Sequence, residues 1–458
     1  MFGAVAGCGP HGSAALSDSS TPDSGNGNGN GNGDGGVAPP AGAIPIPAEP
    51  QRTNGDPQLG YTELVNDIYI RVGIPWSGFS YAMSTLDPSD ALPGRNGASA
   101  SVGYTFNVGT NSDGMEVAAS NCLQCHATHL NGALVVGLGR PDHSLALPSG
   151  IAIDPPLITL GLTSADELSE FDDYGSRLLI SQDAGAGVAF GALAAHHSSS
   201  TLAWSDSAGF DATTGLQGWV DVPPWWRTAK LNALYANGMG RGDQVHHMMN
   251  MTIFSVDTVA QATAIDAMFV NIAAYLRSIQ PPKYPRSTDA TLVARGEQVF
   301  ADNCAECHGT YGDSPSFPNL LIPVEMVGTD PALAVQSWIN PAAATWFAAS
   351  FFGQGARFDV EPGYVAPPLD GIWATAPFFH NGSVPTLEGV LDSSVRPASW
   401  NSGFGDAEFD YDAVGWSSTG NGSTYDTTAA GDSNAGHTYG DGLSSDDRHA
   451  LIEYLKTL

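Results

Sequence analysis

Two short runs in this 458-residue chain can do chemistry that most side chains cannot: Cys122-Leu123-Gln124-Cys125-His126 and Cys304-Ala305-Glu306-Cys307-His308. Two thiols three residues apart, followed at once by an imidazole, form the attachment pattern for c-type haem. The porphyrin dictates this spacing. One helical turn brings both sulfurs to one edge, where they add across two vinyl groups. The next residue then sets an imidazole under the iron as proximal ligand. A four-thiolate zinc site or a redox dithiol would use the cysteines but leave both histidines unexplained. The sequence therefore predicts two covalently attached haem c groups, held by Cys122, Cys125, Cys304 and Cys307, with His126 and His308 on iron.

The elements that must position these groups read as follows. Residues 9–56 are low in complexity, with a Gly-Asn alternation and then Pro/Ala-rich sequence. They are expected to stay disordered, as a linker spanning roughly 40 Å. Helices are expected over Gly60–Gly73, over Met115–Asn121 running into the first motif, over Thr263–Ile279, over Thr288–Asn303 running into the second motif, and over Ser445–Leu458. In the third of these, Ile265, Phe269, Ile272 and Leu276 fall on one stripe, and Pro281-Pro282 ends it. Each half thus has a helix before its haem motif and a later helix bearing an aromatic, Tyr275 or Tyr454. The expected fold is mainly α with long irregular loops and little β. It comprises two cytochrome c-like haem domains, residues 57–284 and 285–458.

Beyond the haem motifs, Asp221–Met249 contains Val222-Pro223-Pro224-Trp225-Trp226-Arg227 and Gly238-Met239-Gly240-Arg241-Gly242-Asp243. Residues 369–387 read LDGIWATAPFFHNGSVPTL, and Gly436-His437-Thr438-Tyr439-Gly440 precedes the last helix. With these segments the body resembles a dihaem cytochrome of the bacterial cytochrome c peroxidase superfamily, nearest the branch of the dihaem rubber oxygenases. The resemblance implies a reactive first haem, a second haem that passes electrons, and an aromatic relay between them, Trp226 or Trp225. It implies His437 as the sixth ligand of the second haem, with His380 the alternative and Met326 a third candidate.

The first haem's sixth position is open or weakly held on this reading, and His143 is the chief rival. His129, His196, His197, His246 and His247 also lie in that domain. An occupied sixth position favours electron transfer, whereas an open one admits peroxide or dioxygen. Peroxide cleavage needs an acid-base group, for which Asp243 and Glu116 are available by position only. The competing expectation is a pure electron-transfer protein with both irons six-coordinate.

The formal net charge is −31. Such acidity argues against nucleic-acid binding. Residues 1–56 hold five acids and one base, leaving −27 on residues 57–458. A redox partner with a basic docking face, weakened by salt, is the expectation. Covalent haem attachment occurs outside the cytoplasm. Val5-Ala6-Gly7-Cys8 resembles a lipoprotein cleavage box, so Cys8 is either a lipid anchor or a free thiol in a tail. The apolar runs fall short of the ~20 residues that span a bilayer. Interdomain calcium occurs in some members of this superfamily, but no calcium-loop spacing stands in this sequence.

Overall fold

Four helices that frame the two halves begin where a short polar side chain caps them. In the computed structural model, which describes residues 39–83, 85–142, 155–181, 186–215, 218–336 and 339–458, strand β1 (Ile44–Pro45) precedes helix α1 (Pro57–Asn66). The Asp56 carboxylate accepts from the Gln58 and Leu59 amides at the start of α1, and Pro57 occupies its first turn. Strands β2 (Ile74–Pro75), β3 (Phe106–Thr110) and β4 (Glu116–Ser120) follow. Helix α2 (Val259–Ser278) is capped by Thr258, α3 (Ala290–Asn303) by Asp289, and α4 (Ser445–Leu455) by Ser444. Between α3 and α4 lie β5 (Leu320–Pro323) and β6 (Gly363–Val365). Helix α2 is the one described helix long and apolar enough to cross a membrane. Its Ile265, Phe269, Ile272 and Leu276 are buried in the protein core.

The two halves share one packing device. In the first, α1 crosses α2 at Gly60, where an added Cβ would lie 2.0 Å from the Asn271 carbonyl oxygen. In the second, α3 crosses α4 at Gly296, where a Cβ would lie 2.0 Å from the Ala450 carbonyl oxygen. Only glycine lets the backbones approach so closely. Tyr61 meets Tyr275 at the first crossing, with ring centroids 5.1 Å apart, and Phe300 meets Tyr454 at the second, 5.4 Å apart.

Several sequence expectations need correction. The segment expected as a helix over Met115–Asn121 is strand β4, paired antiparallel with both β2 and β3. Valine and alanines at 117–119 are buried in that sheet, so pairing overrides the helical preference of the alanines. Helix accounts for 40% of the described residues and strand for 14%, so short two- and three-stranded sheets must be added to the mainly helical picture. The first helix ends at Asn66 rather than Gly73.

Residues 39–56 are not a free linker. Strand β1 pairs antiparallel with Leu320 and Leu321 of β5, Ile46 is buried, and Arg52 pairs with Asp243 and Asp266 at 2.7 Å each. A two-residue edge strand tolerates Pro45. Nor do the cores follow the boundary at residues 284/285. Leu333, Phe347 and Phe352 pack in the first core, while Leu130, Leu138 and Trp226 pack in the second.

Candidate haem sites

The second motif is positioned simply. Helix α3 delivers Cys304 at its end, and residues 305–308 add one more turn that carries Cys307 and His308. The His308 ring nitrogen Nδ1 lies 2.8 Å from the Pro367 carbonyl oxygen. That contact sets the tautomer and leaves Nε2 with its lone pair, the state a metal-binding imidazole needs. Burial lowers the affinity of His308 for protons, against the pull of Pro367.

His437 faces it. The two ring centroids stand 6.3 Å apart, with the rings at 58°. Two metal–imidazole bonds of about 2.0 Å, plus the distance from each ring centre to its nitrogen, add up to roughly this separation. His437 is held in the left-handed region at φ +45°, and its amide donates to the Val327 carbonyl at 2.7 Å. Burial pushes its pKa down to about 4, so it stays neutral. These residues fit an iron held between two imidazoles.

The other two candidates have different partners, although Met326 packs on the same small cluster as Cys307. His380 is stacked on Tyr364 at 3.9 Å and 17°, and burial lowers its pKa to about 3. Met326 lies beside Leu320 and Ile322, and its carbonyl accepts from the Tyr439 hydroxyl.

The first motif is built differently. A sheet, not a helix, leads into it, and buried amides stitch the junction. The Asn121 amide group donates to the Tyr104 carbonyl and to Asn107 Oδ1, each at 2.9 Å. Arg95 donates to the Val65, Ser99, Val102, Gly103, Tyr104 and Phe106 carbonyls and to Asn107 Oδ1. The Cys122 amide donates to the Tyr69 hydroxyl at 3.0 Å. Burial pushes the Cys122 thiol up to about 11 and the Cys304 thiol up to about 12. Sulfurs in such surroundings suit neutral thioethers, not thiolates.

The His126 ring stacks on Trp225, with centroids 4.7 Å apart and 21° between planes. Burial lowers its pKa to about 4, with the Pro223 carbonyl acting against it. Among the described residues no second imidazole faces His126 as His437 faces His308. His143 lies outside the described residues.

The other histidines have their own partners. His129 lies 3.2 Å from the Ser89 carbonyl, His196 stacks on Trp204, and His197 and His246 approach Asp257 and Asp266. His247 approaches the Arg241 carbonyl and the Tyr235 hydroxyl. Of the two acids available by position, Asp243 caps a helix and pairs with Arg52, and Glu116 is exposed at the start of β4.

The tryptophans divide between the halves. Trp225 packs in the first core against His126, whereas Trp226 packs in the second and its indole N–H donates to the Asp370 carbonyl at 2.8 Å. Among the described residues no group of three or more His, Cys, Asp or Glu could hold a further metal ion. Cys8 lies outside the described residues.

Known proteins resemble this arrangement in parts. Residues 293–345 match the cytochrome c family, and residues 363–401 match the family described as RoxA-like, cytochrome c-like. The uncharacterized protein y4iJ of Sinorhizobium fredii is 31% identical over 250 residues, covering 39% of this chain and 41% of that protein. Uncharacterized protein y4iM of the same strain is 32% identical over 168 residues, covering 30% and 37%. The Cbb3-type cytochrome c oxidase subunit FixP of Bradyrhizobium diazoefficiens is 30% identical over 103 residues, covering 22% and 33%. The chain thus spans about two fifths of the length of the first two relatives. Among solved structures, the xenon-pressurized hydrazine synthase of Kuenenia stuttgartiensis covers 62% of this chain and 92% of its own. It shares 15% identity at a TM-score of 0.25, a likeness too low to support any inference.

Proposed function

We propose that this chain, a c-type cytochrome with covalently bound haem c and a role in electron transfer or oxidoreduction, is an extracytoplasmic dihaem oxidoreductase with two unlike sites. On this reading the Cys304–His308 site serves electron transfer and the Cys122–His126 site meets peroxide or dioxygen. The observation that carries it is the His308–His437 pair at 6.3 Å, together with the lack of a matching pair at His126 among the described residues. When bound, haem c supplies a one-electron iron centre. His308 and His437 would hold the iron at the second site, and Trp225 packs against His126 at the first.

The match over residues 363–401 supports the rubber-oxygenase-like branch of the dihaem peroxidase superfamily. The acidity supports a redox partner with a basic docking face, and Cys8 would anchor the chain to lipid.

Optical and EPR spectra test the reading. One low-spin haem and one that responds to carbon monoxide or peroxide are expected. His437→Ala should turn the second haem high-spin. An unchanged spectrum would move the ligand to His380. Two low-spin haems inert to every added ligand would reduce the protein to pure electron transfer.

A further inference from the structure

Arg227 is buried, with 8% of its surface exposed, and no described carboxylate lies within ion-pair distance of its guanidinium. Its hydrogen bonds are two long ones to neutral oxygens: Nε to the Asp370 carbonyl at 3.2 Å and Nη2 to Thr375 Oγ1 at 3.3 Å. The nearby acids do not match its charge. Both Asp370 carboxylate oxygens take the Lys230 ammonium, at 2.8 Å each. Asp221 is pushed by burial well above the usual carboxylate range, against the pull of Arg227.

Two other arginines of the interior, the buried Arg177 and the half-buried Arg95, are satisfied. Arg177 forks onto Asp257 at 3.0 Å through each of two nitrogens, and Arg95 meets seven oxygens. A guanidinium does not shed its proton in a protein, so its burial calls for an anion.

The place of Arg227 indicates which anion. The segment that accepts its hydrogen bond also supports the second iron ligand, since Pro367 holds His308 Nδ1 and Asp370 follows three residues later. Any haem attached at Cys304 and Cys307 brings two carboxylate side chains to this neighbourhood, and a planar guanidinium fork suits a carboxylate better than any other cationic side chain.

We propose that Arg227 is the counter-ion for a propionate of the haem held by His308. This rests on the reading that Cys304–His308 carries a haem. Arg227 is then a positioning and charge-balancing residue: it holds the porphyrin edge and favours the reduced iron by offsetting a negative charge.

Redox titration of the full haem-loaded chain tests it. Arg227→Gln should lower the equilibrium constant for reducing the second haem about tenfold, equal to about 59 mV for one electron. Arg227→Lys keeps the charge and should restore most of that. Thr375→Val removes a neutral hydrogen bond only and should change the constant less than about twofold. An Arg227→Gln protein with two haems and an unshifted potential would overturn the proposal. Haem stoichiometry, with Cys304→Ala/Cys307→Ala as control, separates this failure from absence of the second haem. If Arg227→Gln does not accumulate, a crystal structure of the haem-loaded wild type decides. A propionate of that haem hydrogen-bonded to the guanidinium is expected, and one out of reach overturns the assignment.

Discussion

Gly436 should matter as much to the second haem site as the histidine beside it. Its φ is +78°, and an added Cβ would stand 2.1 Å from the Gly328 carbonyl carbon and 2.3 Å from the Gly328 oxygen and the Thr329 nitrogen. The loop cannot simply swing away. The His437 amide is bonded to Val327 on one side, and the Arg396 guanidinium binds the Gly436 carbonyl at 2.7 Å and the His437 carbonyl at 3.2 Å on the other. Gly436→Ala therefore meets two costs. A non-glycine residue in the left-handed region costs about 1–2 kcal/mol, and overpacking against backbone costs about 1–3 kcal/mol. Together they come to about 2–5 kcal/mol, which at 1.36 kcal/mol per factor of ten is roughly 30- to 5,000-fold against the loop as it stands. Relief comes by moving the 436–437 backbone off Gly328, which widens the 6.3 Å spacing of His308 and His437. A metal–ligand bond does not stretch by that much. The EPR and visible spectra of Gly436→Ala should thus gain a high-spin component at the second haem, like those of His437→Ala, with both haems still attached. A purely low-spin second haem in Gly436→Ala would refute the reasoning, because the clash would then be absorbed without moving His437.

Three further outcomes follow from the same contacts. Gly296→Val should cost at least about 2 kcal/mol in denaturant unfolding by prying α3 from α4, and an unchanged midpoint would show that the crossing relaxes freely. Arg95→Leu strips donors from buried carbonyls around Tyr104, at about 1–3 kcal/mol for each group left unsatisfied. It should lower haem occupancy at Cys122–Cys125 while sparing Cys304–Cys307, as mass spectrometry of proteolytic fragments would report. For Asp266, burial acts to raise the pKa, but hydrogen bonds from His246 and Arg52 and the Arg52 charge outweigh it and bring it to about 2. Because the folded value lies below the unfolded one, the stability it adds is complete above about pH 4 and is lost as pH falls toward 2. The gap in denaturation midpoint between wild type and Asp266→Asn should therefore be constant above pH 4 and close below it. A gap independent of pH would show that the carboxylate charge is not what stabilises.

The cytochrome character was legible because covalent chemistry demands a fixed local spacing, and five consecutive residues carry it. Helices α2, α3 and α4 were legible too, since caps and apolar stripes are local. What escaped is nonlocal. Glu116–Ser120 looks helical by composition and becomes a strand because Ile74 and Phe106–Thr110 lie alongside it. The helix equivalent to α3 in the first half is α1, but a sheet and loops separate it from Cys122, so proximity to the motif pointed at the wrong segment. Residues 39–56 have linker composition, yet Arg52 finds Asp243 and Asp266 some two hundred positions away. Trp225 and Trp226 are the same residue type side by side, and only the turn at Trp225–Lys230 decides which one meets His126.

The same division governs function. The two CxxCH runs are nearly alike, so by themselves they cannot assign different roles to the two proposed haems. On the proposed reading the difference lies opposite each motif histidine, in residues that the chain supplies from far away. At the second site His437 arrives from 129 positions beyond His308, on a loop that a glycine lets sit against Gly328. At the first, a stacked tryptophan supports the proximal imidazole, and no described histidine takes the opposing place. Asymmetry between two equal attachment motifs is therefore a property of the tertiary fold. A variant that adds a ligand opposite His126, or removes the one opposite His308, should change reactivity toward peroxide or carbon monoxide without touching either motif.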